Sequence, residues 1–284
     1  MSKGQKHHNN NTSKDRVVHK VSLKDRVRTQ LSRNKLCSVA FEELENDIEV
    51  QTILEDTNRM AIDRLGFSDH GHVHSLVVVK NGMELFDILR TSVEPTIVKE
   101  GTGDYEDAQL IVLLAGYLHD IGMSVHRDEH NIFSVGLATP IVERILAKVY
   151  PDDKHKQIHV RGHVLHAIVC HDKTTKPSTV EAGVVGISDA LDMTAGRARI
   201  PFEAGSVNIH SASAMAIREV SIKKGKEKAV SIEVLMSNAS GIFQIQELLE
   251  KKIRSATQIS DHIELYAVMS GREDRILSER LKVM

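Results

Sequence analysis

The chain has 284 residues, 41% of them hydrophobic and 27% charged, with a formal net charge of -2. This is the composition of a globular protein with material for one large domain or two smaller ones, and its charge balance gives no global signal for a nucleic-acid or acidic partner. Two cysteines, Cys37 and Cys170, make no disulfide framework, no run approaches a bilayer span and the N-terminus lacks an apolar signal core; a cytoplasmic setting with no membrane partner is expected.

Residues 1–35 are rich in Lys, Arg, Asn and Ser and carry no sustained apolar period, which predicts a flexible polar tail or a weakly basic arm. From Ala40 onward, Leu44, Ile48, Ile53, Leu54, Met60, Ile62 and Leu65 recur at helical spacing, and Gly66 follows as a stop. Ser68-Asp69 then caps a second helix through His74 to Leu89. Residues 94–103 read as a loop. Asp104 or Tyr105 opens Ala108–Leu118, a run apolar on every side and therefore a buried helix, which gives out at Leu118-His119-Asp120-Ile121-Gly122. Further helices are predicted over Asp128–Tyr150, with Pro140 as a kink, over His155–Cys170 and over Thr179–Met193. Consecutive helices without a strand pattern predict an all-α, bundle-like domain over residues 36–205. The character changes after Pro201. Alternating segments at Ala216–Lys223 and Lys228–Met236 predict a hairpin, Ile242–Ile253 an amphipathic helix, Ile263–Met269 a third strand and Gly271–Val283 a charged terminal helix. The fold class is therefore mainly α, with a smaller ββαβα domain over residues 206–284 in an accessory or dimerising role, which makes a homo-oligomer an expected assembly.

The chemistry lies in the helical part. With 16 histidines in the chain, about one His-Asp pair arises by chance, so His119-Asp120 alone means little. Its weight comes from other groups on separate predicted elements: His74 on the second helix, His130 at the start of the helix after the pair, His171 at the end of the next, and Asp189 on the one after. Ligands from facing helices are how bundles build metal sites. Imidazole and carboxylate without a thiolate cluster suit Fe, Mn, Zn or Mg rather than a structural zinc.

The pattern His74, His119-Asp120 and Asp189, with an apolar helix before the pair and Ile121-Gly122 after it, resembles the HD superfamily of metal-dependent phosphohydrolases. The local strings Val73-His74-Ser75-Leu76 and Ser188-Asp189-Ala190-Leu191-Asp192 carry the same resemblance, which covers about residues 70–195. In the two-metal branch one further histidine opens the next helix, matched by His130, and another follows an Ala-Ile step, matched by His171 after Ala167-Ile168. The segment Lys173–Val180 lacks the longer Gly-Tyr-Pro stretch of the cyclic-di-GMP subfamily. The resemblance implies one or two divalent ions per chain, with Asp120 as the bridging ligand. His74, His119 and Asp189 would serve one ion, and His130 and His171 the other. A metal-activated water would then hydrolyse a phosphoester or phosphoanhydride in a nucleotide or other small phosphorylated molecule.

Several residues compete for roles around this set. His155, His159, His163 and His166 share a stripe within about 80° on one helix, whereas His171 lines up with Val160, Val164 and Ile168 on the apolar side. The stripe reads as a solvated face, with a surface metal or anion site as the alternative. His126 joins Asp120 as a catalytic candidate, from behind the ligands or in contact with substrate; an exposed loop residue is the other reading. Asp192 rivals Asp189, and His70 and His72 rival His74. Arg127, Lys173, Arg197 and Arg199 are candidate phosphate-binding cations. Two alternatives stay open: a phosphodiesterase or nuclease acting on nucleic acid, and a non-catalytic nucleotide-binding sensor.

Overall fold

The computed structural model describes residues 21–196, 209–269 and 280–284. The helical body begins earlier than the sequence pattern predicts. Helix α1 (Leu23–Leu31) is capped by Ser22, whose hydroxyl accepts from the Asp25 N–H, and it buries Val27 and Leu31. Only two apolar positions reach the core, too few for periodicity to register, so residues 22–35 belong to the body rather than to a tail. The predicted helix from Ala40 to Leu65 is two helices, α2 (Lys35–Asn46) and α3 (Ile48–Asn58), the latter extended by a π-helical turn at Arg59–Arg64. Asp47 divides them: its side chain accepts from the Glu49 and Val50 N–H groups and restarts the helix as an N-cap.

Helix α4 (His72–Leu89) follows the turn at Gly66, and a short helix α5 (Thr96–Lys99) occupies the predicted loop. Helix α6 (Tyr105–Leu118) is the centre of the body. Asp104 and Asp107 form a reciprocal capping box at its start. Every side chain from Leu110 to Leu118 is buried, because α2, α4, α8 and α9 pack around it. Each Leu or Ile so buried contributes about 1.5–3 kcal/mol relative to exposure. Helix α7 (His130–Val149) is continuous through Pro140 and leads to α8 (Lys154–Cys170) and α9 (Val180–Ala190). Asp107 also ties the α7–α8 corner to the start of α6, accepting from the Tyr150 hydroxyl at 2.5 Å and from Lys156 at 2.6 Å.

The C-terminal part resumes with α10 (Ile209–Met215), followed by a sheet in the order β1-β2-β3-β4. Strand β1 (Ile217–Lys224) pairs antiparallel with β2 (Val230–Met236), which pairs parallel with β3 (Ile263–Met269). The parallel step needs a crossover, supplied by α11 (Gly241–Gln244), a π-helical segment (Ile245–Glu250) and α12 (Lys251–Ser255). Strand β4 (Arg280–Lys282) pairs antiparallel with β3. The terminal helix predicted over Gly271–Val283 is thus a strand at 280–282, where β3 offers an open edge; the rest of that prediction lies outside the described residues. The sheet and its crossover pack on α4 and α9, so one apolar core runs from α1 to β3. Among the described residues no helix is long and apolar enough to cross a membrane.

Candidate metal centre

Helix α6 ends at His119, and Asp120 sits at φ -101, ψ 0, before a 3-10 turn at Ile121–Ser124. This bridge-region backbone is sparsely populated and recurs in active sites. Gly122 permits it: a Cβ there would lie 2.1 Å from the His130 carbonyl oxygen and 2.2 Å from the Ser134 nitrogen. The Gly122 N–H donates to the Ser134 hydroxyl at 2.8 Å, which locks the turn against the first turn of α7. Glu129, just before His130, holds a left-handed φ of 59, the one positive φ outside glycine among the described residues. Such a conformation costs about 1 kcal/mol and concentrates at sites where a neighbour must be aimed.

The turn directs the two oxygens of Asp120 in different directions. Oδ2 lies 3.2 Å from His119 Nε2 and 3.4 Å from His74 Nε2. Oδ1 lies 3.2 Å from His130 Nε2 and 3.3 Å from His171 Nε2. Asp120 therefore belongs to two triads at once, one with His74 and His119 and one with His130 and His171, all buried. Asp189 Oδ1 approaches the first triad from the rim, 3.4 Å from His74 Nε2 and 3.9 Å from His119 Nε2. Five elements supply these six residues: α4, the end of α6 with its following turn, α7, the end of α8, and α9.

The outer nitrogens define the inner ones. His119 Nδ1 donates to the Gly116 carbonyl at 3.0 Å, His130 Nδ1 to the Arg127 carbonyl at 2.9 Å and His171 Nδ1 to the Ile168 carbonyl at 2.6 Å. His74 Nδ1 donates to Asp192 Oδ2 at 2.6 Å. All four partners are acceptors only, so in the neutral rings each Nε2 carries a lone pair. Yet the Nε2 atoms of His74 and His119 are 3.1 Å apart, and so are those of His130 and His171. Lone pairs that close repel one another unless a cation lies between them, and imidazole with carboxylate is a suitable donor set for a divalent ion. The residues fit a metal.

Electrostatics point the same way. Burial alone would raise the Asp120 carboxyl, but His119, His130 and His171 outweigh it and hold Asp120 well below the usual range. Asp189 follows the same pattern: burial opposes ionisation, yet the groups that face it, His74 first, hold its carboxyl well below the usual range. Burial pushes His171 down, toward the neutral ligand form, against the pull of Asp120. Both carboxylates are thus ionised and aimed at one centre.

The other sequence candidates fall at different places. His126 is exposed, and its Nδ1 accepts from the Asp128 N–H at 3.0 Å, which makes it a turn residue apart from the cluster. Arg127 is half-buried beside the centre, 3.4 Å from His130 Nδ1, with its guanidinium 5.5 Å from the ring centre of exposed Phe67. Lys173 is exposed in the loop after His171. Arg197 and Arg199 lie outside the described residues. His72 turns away to Glu45 at 2.9 Å, and His70 donates Nδ1 to the Ser68 carbonyl, leaving its ring 5.5 Å from that of His74 at the rim. On the histidine stripe of α8, His155 and His159 are exposed, whereas His163 pairs with Glu100 at 3.0 Å and His166 accepts from the Ser178 N–H. One neighbour escaped the sequence reading, Phe67, which carries no motif and meets the site only through Arg127.

Residues 72–194 match the family model described as HD domain. An uncharacterized protein of Methanocaldococcus jannaschii is 45% identical over 228 residues, covering 80% of this chain and 87% of that protein. No solved structure matches the chain.

Proposed function

The chain belongs to the HD-domain superfamily of metal-dependent phosphohydrolases, and from that membership we propose that it hydrolyses a phosphoester or phosphoanhydride in a nucleotide or other small phosphorylated molecule. The observation that carries the reading is the division of Asp120 between two buried histidine pairs, a layout suited to two adjacent ions. His74, His119 and Asp189 would hold one ion, His130 and His171 the other, with Asp120 shared. Bound divalent ions would supply Lewis acidity toward phosphoryl oxygens and a nucleophilic water at neutral pH.

The chain's own residues do the rest. Backbone carbonyls and Asp192 fix the four imidazoles in one tautomer, so no reorganisation is needed as charge develops. Asp120 and Asp189, both ionised, place two negative charges where two cations would bind, and the buried setting strengthens every such contact. Arg127, over the ring of Phe67 and beside His130, offers a cation and an aromatic surface next to the ligands, a pairing that suits a phosphorylated molecule with a planar base. Lys173, exposed in the loop after His171, supplies further positive charge near the ligands, and Arg197 and Arg199 remain candidates from the sequence, outside the described residues.

The test is a screen of nucleotides, cyclic nucleotides and oligonucleotides against the protein loaded with Mn²⁺ or Fe²⁺. Turnover of a small phosphate ester is the expected outcome. Turnover confined to oligonucleotides would move the assignment to a nuclease, and absence of turnover with bound metal would move it to a sensor.

A further inference from the structure

The sheet has two edges of different kinds. Strand β4 has three residues, whereas β1 has eight and is paired on one side only. The Gly225 N–H donates to the Ala229 carbonyl at 3.0 Å, and these two residues stand directly opposite each other, one step beyond Lys224 and Val230. Such pairs alternate along an antiparallel ladder. Glu219, Ser221 and Lys223 therefore turn their backbone groups to β2, and Val220, Ile222 and Lys224 turn theirs outward. Among the described residues no hydrogen bond reaches these outward groups. An open edge of this length is a template for another strand. The side chains also sort by face. Val220 and Ile222 pack on the core, while Glu219 and Lys223 are exposed on the other face with half-buried Ser221 between them.

A second copy of this chain fits that edge. Bonding requires outward residues of one strand to face outward residues of the other, which leaves few antiparallel registers. Centred on Ser221, the pairing sets Glu219 against Lys223 of the second copy, and Lys223 against its Glu219. Val220 then meets Ile222 on the core face at both ends of the pairing. Centring on Val220 or on Ile222 leaves both charges opposite uncharged residues. The bulge between Ile217 and Glu219 ends the ladder before Arg218 meets Lys224, a pair of like charges. Lys223 already reaches Glu233 within its own sheet at 2.9 Å, and an ammonium with three donors serves two carboxylates. We propose that β1 pairs antiparallel with β1 of a second copy about a two-fold axis at Ser221, which joins the two sheets into one. Both copies use the same patch, so the contact closes on itself and ends at a dimer. The charges select the register, since opposite charges across a pair of strands favour it and like charges oppose it. The C-terminal part then serves assembly, and the packing of β1 on α4 ties the contact to the helix that carries His74.

Sedimentation of the full chain over a range of concentrations reads the dimer, and two single variants test its register. Glu219→Lys places like positive charges opposite each other, and Lys223→Glu like negative ones. Each alone should weaken self-association by about tenfold. An equimolar mixture of the two should associate as wild type does, because each variant then meets its opposite. Ser221→Cys gives a second reading. The side chains on the axis form a non-hydrogen-bonded pair, whose Cα spacing of about 4.5 Å suits a disulfide. Mild oxidation should link two copies of that variant and leave wild type unlinked, since Cys37 and Cys170 are buried. Circular dichroism should match wild type in all three variants. A wild-type chain that stays monomeric at every concentration overturns the proposal. So does a dimer that neither charge variant weakens, or a mixture of the two that stays monomeric. A Ser221→Cys variant that stays unlinked overturns it independently of the charge variants. The hydrolase reading stands apart from all of these outcomes.

Discussion

Asp192 accepts the Nδ1–H of His74 at 2.6 Å, while Asp189, three residues earlier, faces the opposite nitrogen of the same ring. Asp189 in the last turn of α9 and Asp192 just beyond its end thus flank one imidazole from both sides. One aims the ring and raises its basicity, and the other stands at the place a metal would take. Asp192→Asn should therefore weaken divalent-metal affinity by about 10–100-fold with the fold unchanged. Titration of metal-free protein with Mn²⁺ reads the first, circular dichroism the second. An unchanged affinity would remove Asp192 from the site.

The shared position of Asp120 predicts an asymmetry between variants. Asp120→Ala should lose both ions and all turnover, since each triad contains it. His171→Ala should lose one ion and keep the other. Elemental analysis of the purified variants distinguishes these outcomes. Equal metal content in the two variants contradicts a two-ion centre bridged by Asp120.

Gly122 predicts a large effect from one methyl group. A Cβ there meets backbone atoms of α7 at 2.1 and 2.2 Å, and backbone cannot rotate away. Gly122→Ala should displace the first turn of α7, and with it His130. A destabilisation of about 3 kcal/mol or more is expected, at the upper end for overpacking, read as a lower midpoint in urea. Metal uptake should drop with it.

Metal removal should destabilise the folded protein. Without a cation the paired Nε2 atoms face each other in a buried site, and any ligand that binds the folded state alone stabilises it by mass action. At free metal about 100-fold above its dissociation constant the gain is about 2.7 kcal/mol. A melting temperature that EDTA leaves unchanged speaks against a bound ion.

Acid stability should depend on Glu45, far from the metal centre in chemistry but central in the fold. Burial would raise its carboxyl, yet hydrogen bonds with His72, Lys24 and Tyr117 outweigh that and bring it down to about 2. A depressed carboxyl contributes its stability above the unfolded value of about 4.3 and loses it as the pH falls toward about 2. Glu45→Gln should cost about 2–3 kcal/mol at pH 7 and flatten the stability curve between about pH 4.5 and pH 2. A wild-type slope across that window in the variant is the contrary result.

Much of this molecule was legible before its coordinates. Ala108–Leu118 is apolar all round, and a helix with no polar face can only be central; α6 is. The strand read over Ile263–Met269 is β3 to the residue. His74, His119, Asp120, His130, His171 and Asp189 could be picked out because each matches the HD pattern at a helix start, a helix end or an inward face. Local pattern also missed. Helix α1 has too few buried positions to show a period, and the three-residue β4 exists only because β3 offers it an edge.

The sequence by itself determined which side chains face inward and which residue types gather in the helical body, because the helical repeat and capping chemistry act over a few residues. Only the tertiary structure decided among residues of equal local standing. It set Asp189 against Asp192, separated His74 from His72 and His70, and left His126 at a turn while Arg127 stayed beside His130. The physical reason is one of range. Periodicity names the face a residue occupies, but the partner on that face comes from a segment tens of residues away. Close packing of α9 against both α8 and the crossover helix brings those segments together.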